Sequence, residues 1–550
     1  MEANFKQNLT MGQILSRAVE NHPDNEAIIY VDRDFRMTYR EFGQTVDRVA
    51  RGLMALGIQK GEKVAIWSTN IPYWITMQFA TAKIGAILLT INTNYKSAEL
   101  DYILKQSETE NIFVIDGYQD SDYVNIINEL VPELKTNQRG YLNSSRYSHL
   151  KRVFFLGHEK HRGMYSIPEV KAMAAMTSEE AYQARQADLN PSDVVNMQYT
   201  SGTTGFPKGV MLSHENVVTN GFWIGENQNF TYKDRLCLTV PLFHCFGCVL
   251  AVIACVTHAS TMVVLETFNP VNAMTSVEQE KCTAIYGVPT MFIAILDHKL
   301  FNKFDFRSLR TGIMAGSTCP IKVMEQVIEK MYMNEVTIVY GLTEASPGIT
   351  QTRAHDDIKK RVETVGRPMQ GIEVKMVSYE TGNDAGIGET GEICCRGYNV
   401  MKGYYNMPEA TAEAIDADGW LHSGDLGVMD EDGYIAITGR IKDMIIRGGE
   451  NIYPREIEEF LYNMKEIKDV QVVGIPSRKY GEEVSAFVIL KDGQEVAPED
   501  IRDFCRGKIS RFKIPKYVAI VDAFPMTASG KIQKYKFREK ASLYFPELDN

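Results

Sequence analysis

The feature that most constrains the fold is an alternation of helix-like and strand-like hydrophobic patterns that begins near residue 38. Thr38 and Glu41 form a capping box. Phe42, Val46, Val49, Leu53 and Leu56 follow at 4,3,4,3 spacing, which predicts an amphipathic helix over 38–56. Gly57 is its stop signal. Lys63–Trp67 then reads as a strand, Pro72–Ile84 as a helix and Ala86–Ile91 as another strand. The same alternation continues past residue 300. The expected fold class is therefore α/β, with a large multi-sheet N-terminal body whose strands are substantially parallel.

The pattern changes after Gly439-Arg440. Ile441–Ile446 leads to Arg447-Gly448-Gly449, a helix near Pro454–Leu461, short strands at Val470–Val473 and Val484–Leu490, another helix and a lysine-rich end. This is enough chain for a small α+β domain of its own. The expected division is residues 1–440 and 441–550. Residues 236–265 hold no Asp, Glu, Lys or Arg. A run of that length would span a bilayer, but Pro241, His244, Gly247 and His258 interrupt it. It divides better into a strand at Leu236–Val240, a buried helix near Gly247–Val256 and a strand at Thr261–Leu265, so it reads as protein core with no transmembrane segment. Lys135–Ser148 is polar and tyrosine-rich and reads as an exposed loop.

Several function classes are disfavoured at once. A net charge of −11 is a poor footprint for nucleic-acid binding. The N-terminal residues carry no apolar run of the signal-peptide kind, so a cytoplasmic address is expected. Nine cysteines without framework spacing point to reduced, structural thiols. Cys245 and Cys248 form a C-x-x-C, but no second Cys/His pair stands at ligand spacing for zinc. Gly386, Gly388 and Gly391 form a G-x-G-x-x-G that opens the strand-like run Glu392–Cys395. A dinucleotide fingerprint must open a helix, so this one reads as a turn between strands.

The chemistry concentrates in Tyr199-Thr200-Ser201-Gly202-Thr203-Thr204-Gly205-Phe206-Pro207-Lys208-Gly209, directly after the strand-like run Val194–Gln198. Glycines let backbone N–H groups approach phosphate oxygens, hydroxyls add donors and the lysine adds a charge. The order Lys208-Gly209 excludes a Walker A loop, which ends Gly-Lys-Ser/Thr, and with it a P-loop phosphotransferase. The string closely resembles the phosphate loop of the adenylate-forming enzymes, which include acyl-CoA synthetases, aryl-CoA ligases, luciferases and peptide-synthetase adenylation domains. Further motifs that resemble the family's follow in its order: Pro241–Gly247, Tyr340–Glu344, Trp420–Gly427, Gly439–Asp443 and Pro525–Lys531.

The resemblance implies two half-reactions. A carboxylate attacks the α-phosphate of Mg·ATP to give an acyl-adenylate and pyrophosphate, and the thiol of CoA then displaces AMP. By the same resemblance, Thr200, Ser201, Gly202, Thr203, Thr204, Gly205 and Lys208 hold the phosphates. Gly316, Ser317, Tyr340 and Gly341 border the nucleotide, and Thr343 donates to the α-phosphate. Glu344 is a hard oxygen ligand for Mg²⁺. Asp425 and Arg440 bind the ribose. Lys531 stabilises charge developing at phosphorus and His244 borders the acyl site. Lys442 would be the hinge of a mobile small domain, and Arg447, Gly448 and Gly449 would line the CoA channel. Small molecules (a carboxylic acid, ATP and CoA) are the expected partners, with a homodimer left open.

The acyl pocket maps by resemblance to Phe243–Leu250, Tyr286–Phe292, Ala315–Cys319 and Gly341–Thr350. Glu344 is the only charged residue among these, which favours an apolar acid. Acetate-activating relatives carry Trp at the position of Gly341, so a longer chain is expected here. The wording most resembles the medium-chain acyl-CoA synthetase branch. An aryl-CoA ligase is the rival. A silent nucleotide-binding regulator on the same fold would be expected to lack Lys531 or Glu344, and both are present.

Overall fold

The computed structural model describes residues 8–200, 207–316, 319–379, 381–447, 450–527 and 532–549. Within the expected loop and C-terminal motifs, Ser201, Gly202, Thr203, Thr204, Gly205, Ser317, Gly448, Gly449 and Lys531 lie outside the described residues. The chain packs as two compact units. One comprises Met1–Val362, Gly366–Glu373 and Arg396–Leu421, and the other Glu363–Val365, Val374–Cys395 and His422–Asn550. The sequence break expected at 440/441 falls inside the second unit.

The first unit holds two large sheets. In the eight-stranded one, Lys63–Trp67, Ile87–Thr90, Asn111–Val114 and Arg152–Phe155 run parallel, and Val194–Thr200 runs parallel to Ile87–Thr90. In the nine-stranded one the parallel run is Glu26–Tyr30, Thr261–Val264, Arg235–Leu238, Ala284–Gly287, Thr311–Ala315 and Glu335–Gly341. Antiparallel strands finish its edges. These parallel strands are buried along most of their length and largely apolar rather than alternating, as burial on both faces requires, with polar residues chiefly at their first positions.

The expected local structure is largely realised. The helix Tyr39–Ala55 is capped by Thr38 with Glu41 completing the box, and Phe42, Val46, Val49 and Leu53 are fully buried. The uncharged run becomes the strand Arg235–Leu238, the helix Val252–His258 and the strand Thr261–Val264, all core. Its middle differs from expectation: Phe246–Ala251 is a π-helix, and Gln78 donates from Nε2 to the Cys248 carbonyl at 2.8 Å. A side chain bonded into a helical carbonyl ladder accompanies such widened turns. Among the described residues no helix is long and apolar enough to cross a membrane. The segment 135–148 is irregular as expected but not wholly exposed. Tyr147 is buried and donates to Asp101 Oδ1 at 2.7 Å.

The second unit contains a sheet in the order Ile372–Val377, Thr390–Gly397, Leu421–Met429, Ile435–Arg440. The G-x-G-x-x-G thus lies between two strands, as read. A further sheet joins Glu450–Ile452, Ile445–Arg447, Gly481–Leu490, Ile467–Ser477 and Tyr517–Ile520, packed by the helices Pro454–Leu461 and Pro498–Cys505. This is the α+β character expected of the C-terminal residues.

Candidate functional site

The described residues that flank the phosphate loop lie on two paired strands. Val194–Thr200 pairs antiparallel with Lys208–Ser213, and Thr200 stands opposite Lys208. The first residues of the signature thus close one strand and its lysine opens the antiparallel neighbour, whose end leads into the helix His214–Glu226. Lys208 holds its Nζ 4.6 Å from the centroid of the Tyr404 ring, a cation–π geometry.

Thr343 and Glu344 lie on a single 3-10 turn, Thr343–Ala345, just beyond the strand Glu335–Gly341 that carries Tyr340. Here the two motifs meet. Glu344 Oε1 accepts from Tyr404 Oη at 2.8 Å and from Thr200 Oγ1 at 3.4 Å. Burial and the facing Glu344 charge push the Tyr404 phenol well above its usual range, so it stays a neutral donor. Thr200, Lys208, Glu344 and Tyr404 form one cluster of oxygens and one cation. Sequence reasoning missed Tyr404. It reaches the cluster through pairing of Gly403–Tyr404 with Val210 and Met211, some two hundred residues earlier, which leaves no local signal.

Thr343 is buried, and its Oγ1 lies 3.6 Å from Cys245 Sγ. Burial pushes that thiol up to about 12, so it stays protonated at neutral pH. His244 accepts the Phe246 N–H on Nδ1 at 3.2 Å. That bond requires an unprotonated Nδ1, so the neutral ring carries its proton on Nε2. Cys248 receives Gln198 Nε2 at 3.2 Å, and all nine cysteines are buried and free, as expected of structural thiols.

The four mapped pocket segments meet. Phe246 stacks on Tyr286 with centroids 5.9 Å apart, Cys245 touches Thr343, and Val288 Cγ1 lies 3.1 Å from where a Cβ on Gly316 would sit. Phe246, Tyr286 and Phe292 are buried. Gly341 also has a local reason for being small. A Cβ there would lie 1.8 Å from the Pro347 carbonyl oxygen, so the backbone itself demands glycine.

In the second unit Asp425 and Arg440 come together as paired residues of adjacent strands. Arg440 Nε lies 2.8 Å from Asp425 Oδ1, and the Asp425 side chain is 7% exposed against 49% for Arg440. Lys442 follows in an exposed turn in which the Asp443 and Met444 N–H groups donate to the Arg440 carbonyl. Arg447 is paired through Nε and a terminal nitrogen with buried Glu483, and its guanidinium lies 4.1 Å from the centroid of the Tyr480 ring. The Glu483 hydrogen bond raises the Arg447 pKa, so its charge is permanent. Of the basic residues near 510, Lys513 bonds Glu456 at 2.6 Å and Lys508 sits over Phe504.

Known proteins resemble this chain over nearly its whole length. The AMP-binding enzyme profile matches residues 15–405, and the AMP-binding enzyme C-terminal domain matches residues 456–531. YngI of Bacillus subtilis (strain 168), provisionally named an acyl-CoA synthetase, is 53% identical over 531 residues, 96% of this chain and 97% of that protein. The mitochondrial medium-chain acyl-CoA ligase ACSF2 of Rattus norvegicus is 38% identical over 539 residues, 97% of this chain and 88% of the relative. Among solved structures, the anthranilate CoA ligase AuaEII in complex with anthranoyl-AMP superposes with a TM-score of 0.85. It is 26% identical and 99% of each chain is covered.

Proposed function

Because the chain belongs to the AMP-binding enzymes and is an AMP-forming acid–CoA ligase, we propose that its acid is an apolar carboxylic acid of medium chain length. The observation that carries this is the lining of the mapped segments: Phe246, Tyr286, Val288 and Phe292 are buried and uncharged, Phe246 stacks on Tyr286, and its neighbour Cys245 meets Thr343. An apolar lining rejects a second carboxylate or an ammonium because a charge buried there has no partner. The 38% identity to a medium-chain ligase supports the length. The rival is an aryl acid, favoured by the likeness to an anthranilate CoA ligase.

The residues divide the work. Lys208 and the loop it closes bind the β- and γ-phosphates. Thr343 donates to the α-phosphate, and Lys531 offsets the charge that grows there as the carboxylate attacks. Glu344 would hold Mg²⁺. The donor set fits a hard cation, since Glu344, Thr200 and Tyr404 converge as oxygens only. When bound, the ion would neutralise phosphate charge. Asp425 and Arg440 take the ribose, and Tyr340 the adenine. The part that turns between half-reactions begins at Lys442, inside the second compact unit. It would exchange Lys531 for the Arg447–Gly449 loop along which CoA enters.

The test is CoA-dependent AMP release across C2 to C16 straight-chain acids, branched acids and benzoates. A maximum near C6–C10 is expected. A maximum on benzoates replaces the medium-chain reading with the aryl one. For the lysine, Lys531→Ala should slow acyl-adenylate formation by about 10³-fold and slow thioester formation from supplied acyl-AMP far less. Equal loss in both removes its assigned role.

A further inference from the structure

Glu392 belongs to none of the motifs assigned above. It lies on the strand Thr390–Gly397, beside Leu421–Met429 in the sheet of the second unit. Its side chain is only 16% exposed, and both its oxygens are engaged. Oε1 accepts the backbone N–H of Gly424 at 2.9 Å, and Oε2 accepts from His422 Nδ1 at 2.8 Å. An ionised carboxylate only accepts, so His422 carries a proton on Nδ1. Cys394, two residues along and therefore on the same face of the strand, places Sγ 3.4 Å from that same nitrogen. The three side chains bring donor atoms within 4.8 Å of one another, a grouping that would also suit a metal ion. Two N–H donors already occupy the carboxylate, so a hydrogen-bonded brace accounts for it.

The brace grips both sides of Ser423. Gly424 has φ +72°, a left-handed conformation that a residue with a side chain adopts only under strain. Its N–H goes to Glu392 and its carbonyl accepts the Ile441 N–H at 3.0 Å. The next peptide is fixed as well, because the Asp425 N–H donates to Ser423 Oγ at 3.1 Å. Asp425 then presents its carboxylate with one oxygen on Arg440. A charge-assisted bond to the Ser423–Gly424 peptide, one removed from the peptide that enters Asp425, sets the direction in which that carboxylate points.

The geometry points to Glu392 as a positioning residue for the nucleotide sugar: it fixes the Gly424 peptide and thereby aims Asp425 at the ribose hydroxyls. This rests on the ribose role proposed for Asp425. The measurement is acid-dependent ATP–pyrophosphate exchange with the full-length protein, giving kcat and KM for ATP and for 2′,3′-dideoxy-ATP. The wild type should prefer ATP. Glu392→Ala should lose about tenfold of that preference, through KM for ATP rather than kcat, with little change on the dideoxy nucleotide. Glu392→Gln keeps an acceptor for Gly424 and should restore most of it. Equal loss on both nucleotides, or no loss, overturns the proposal, because a merely structural role would not distinguish the sugars. Asp425→Ala separates the two readings. If it leaves the preference intact, the ribose assignment fails and this proposal fails with it. If it abolishes the preference while Glu392→Ala does not, only the proposal fails. Should Glu392→Ala not fold, Glu392→Asp keeps the charge but withdraws the carboxylate by one methylene. The selective loss must then appear in Glu392→Asp, and an unchanged preference overturns the idea.

Discussion

Glu344 and Asp425 are both carboxylates on turns at strand ends or within strands, and both follow a glycine whose backbone is tightly specified. Their partners differ in kind. Glu344 is met by two neutral hydroxyls, those of Tyr404 and Thr200, which leave its negative charge in place. Asp425 is met by the Arg440 guanidinium, which offsets its charge. A carboxylate solvated by hydroxyls still calls for a cation, whereas one paired with arginine is left to accept from neutral donors such as sugar hydroxyls. The supports differ too. The strand end before Glu344 is constrained by backbone, Gly341 against the Pro347 carbonyl, while the strand backbone before Asp425 is held by a side chain, Glu392. The division of labour between metal and ribose is thus written in what surrounds each acid.

The comparison breaks first at Glu344. Glu344→Gln keeps the shape and the hydroxyl partners but removes the charge. Adenylation should fall about 10²–10³-fold, with a raised requirement for Mg²⁺. Exchange rates measured against Mg²⁺ concentration decide it; an unchanged Mg²⁺ dependence removes Glu344 as the ligand. Asp425→Asn should act differently. It should raise KM for ATP by about tenfold and leave the Mg²⁺ dependence where it was. A shifted Mg²⁺ curve would mean the two acids are not distinguished as argued here.

The supports can be broken separately. Gly341→Ala forces a methyl onto the Pro347 carbonyl, which the main chain cannot yield without moving. A stability loss of about 1–3 kcal/mol is expected, read from denaturant unfolding of the first unit's transition. Glu392→Ala removes hydrogen bonds but creates no clash, so its unfolding midpoint should move less. Reversal of that order would place the backbone constraint on the wrong turn.

How much of this was legible in the sequence follows from the range of the interactions. Helix Tyr39–Ala55, the apolar strands and the turn at Gly386–Gly391 rest on local pattern and came out as read. The apolar character of the pocket was legible because each of its four segments is itself apolar. Tyr404 and Glu392 were not, since each acts on a residue far along the chain through strand pairing that no window reveals. The π-helix at Phe246–Ala251 was hidden for the same reason: its carbonyl partner, Gln78, belongs to another helix. The close approach of the Pro347 carbonyl to Gly341 was not legible either, because a backbone approach is invisible in a string of residue types.

The finest test of the contrast is Tyr404→Phe. It removes one uncharged donor from Glu344 and leaves the ring under Lys208. A hydrogen bond to a charged group contributes about 1.5–3 kcal/mol, so KM for Mg·ATP should rise about tenfold or more with kcat little changed. If the hydroxyl merely solvates the carboxylate, removing it leaves the charge and therefore the Mg²⁺ requirement intact. If adenylation instead collapsed as in Glu344→Gln, Tyr404 would be doing more than orienting an acid. The metal would then depend on the phenol itself, and the distinction between a hydroxyl-solvated and an arginine-paired carboxylate would no longer explain why one holds a cation and the other a sugar.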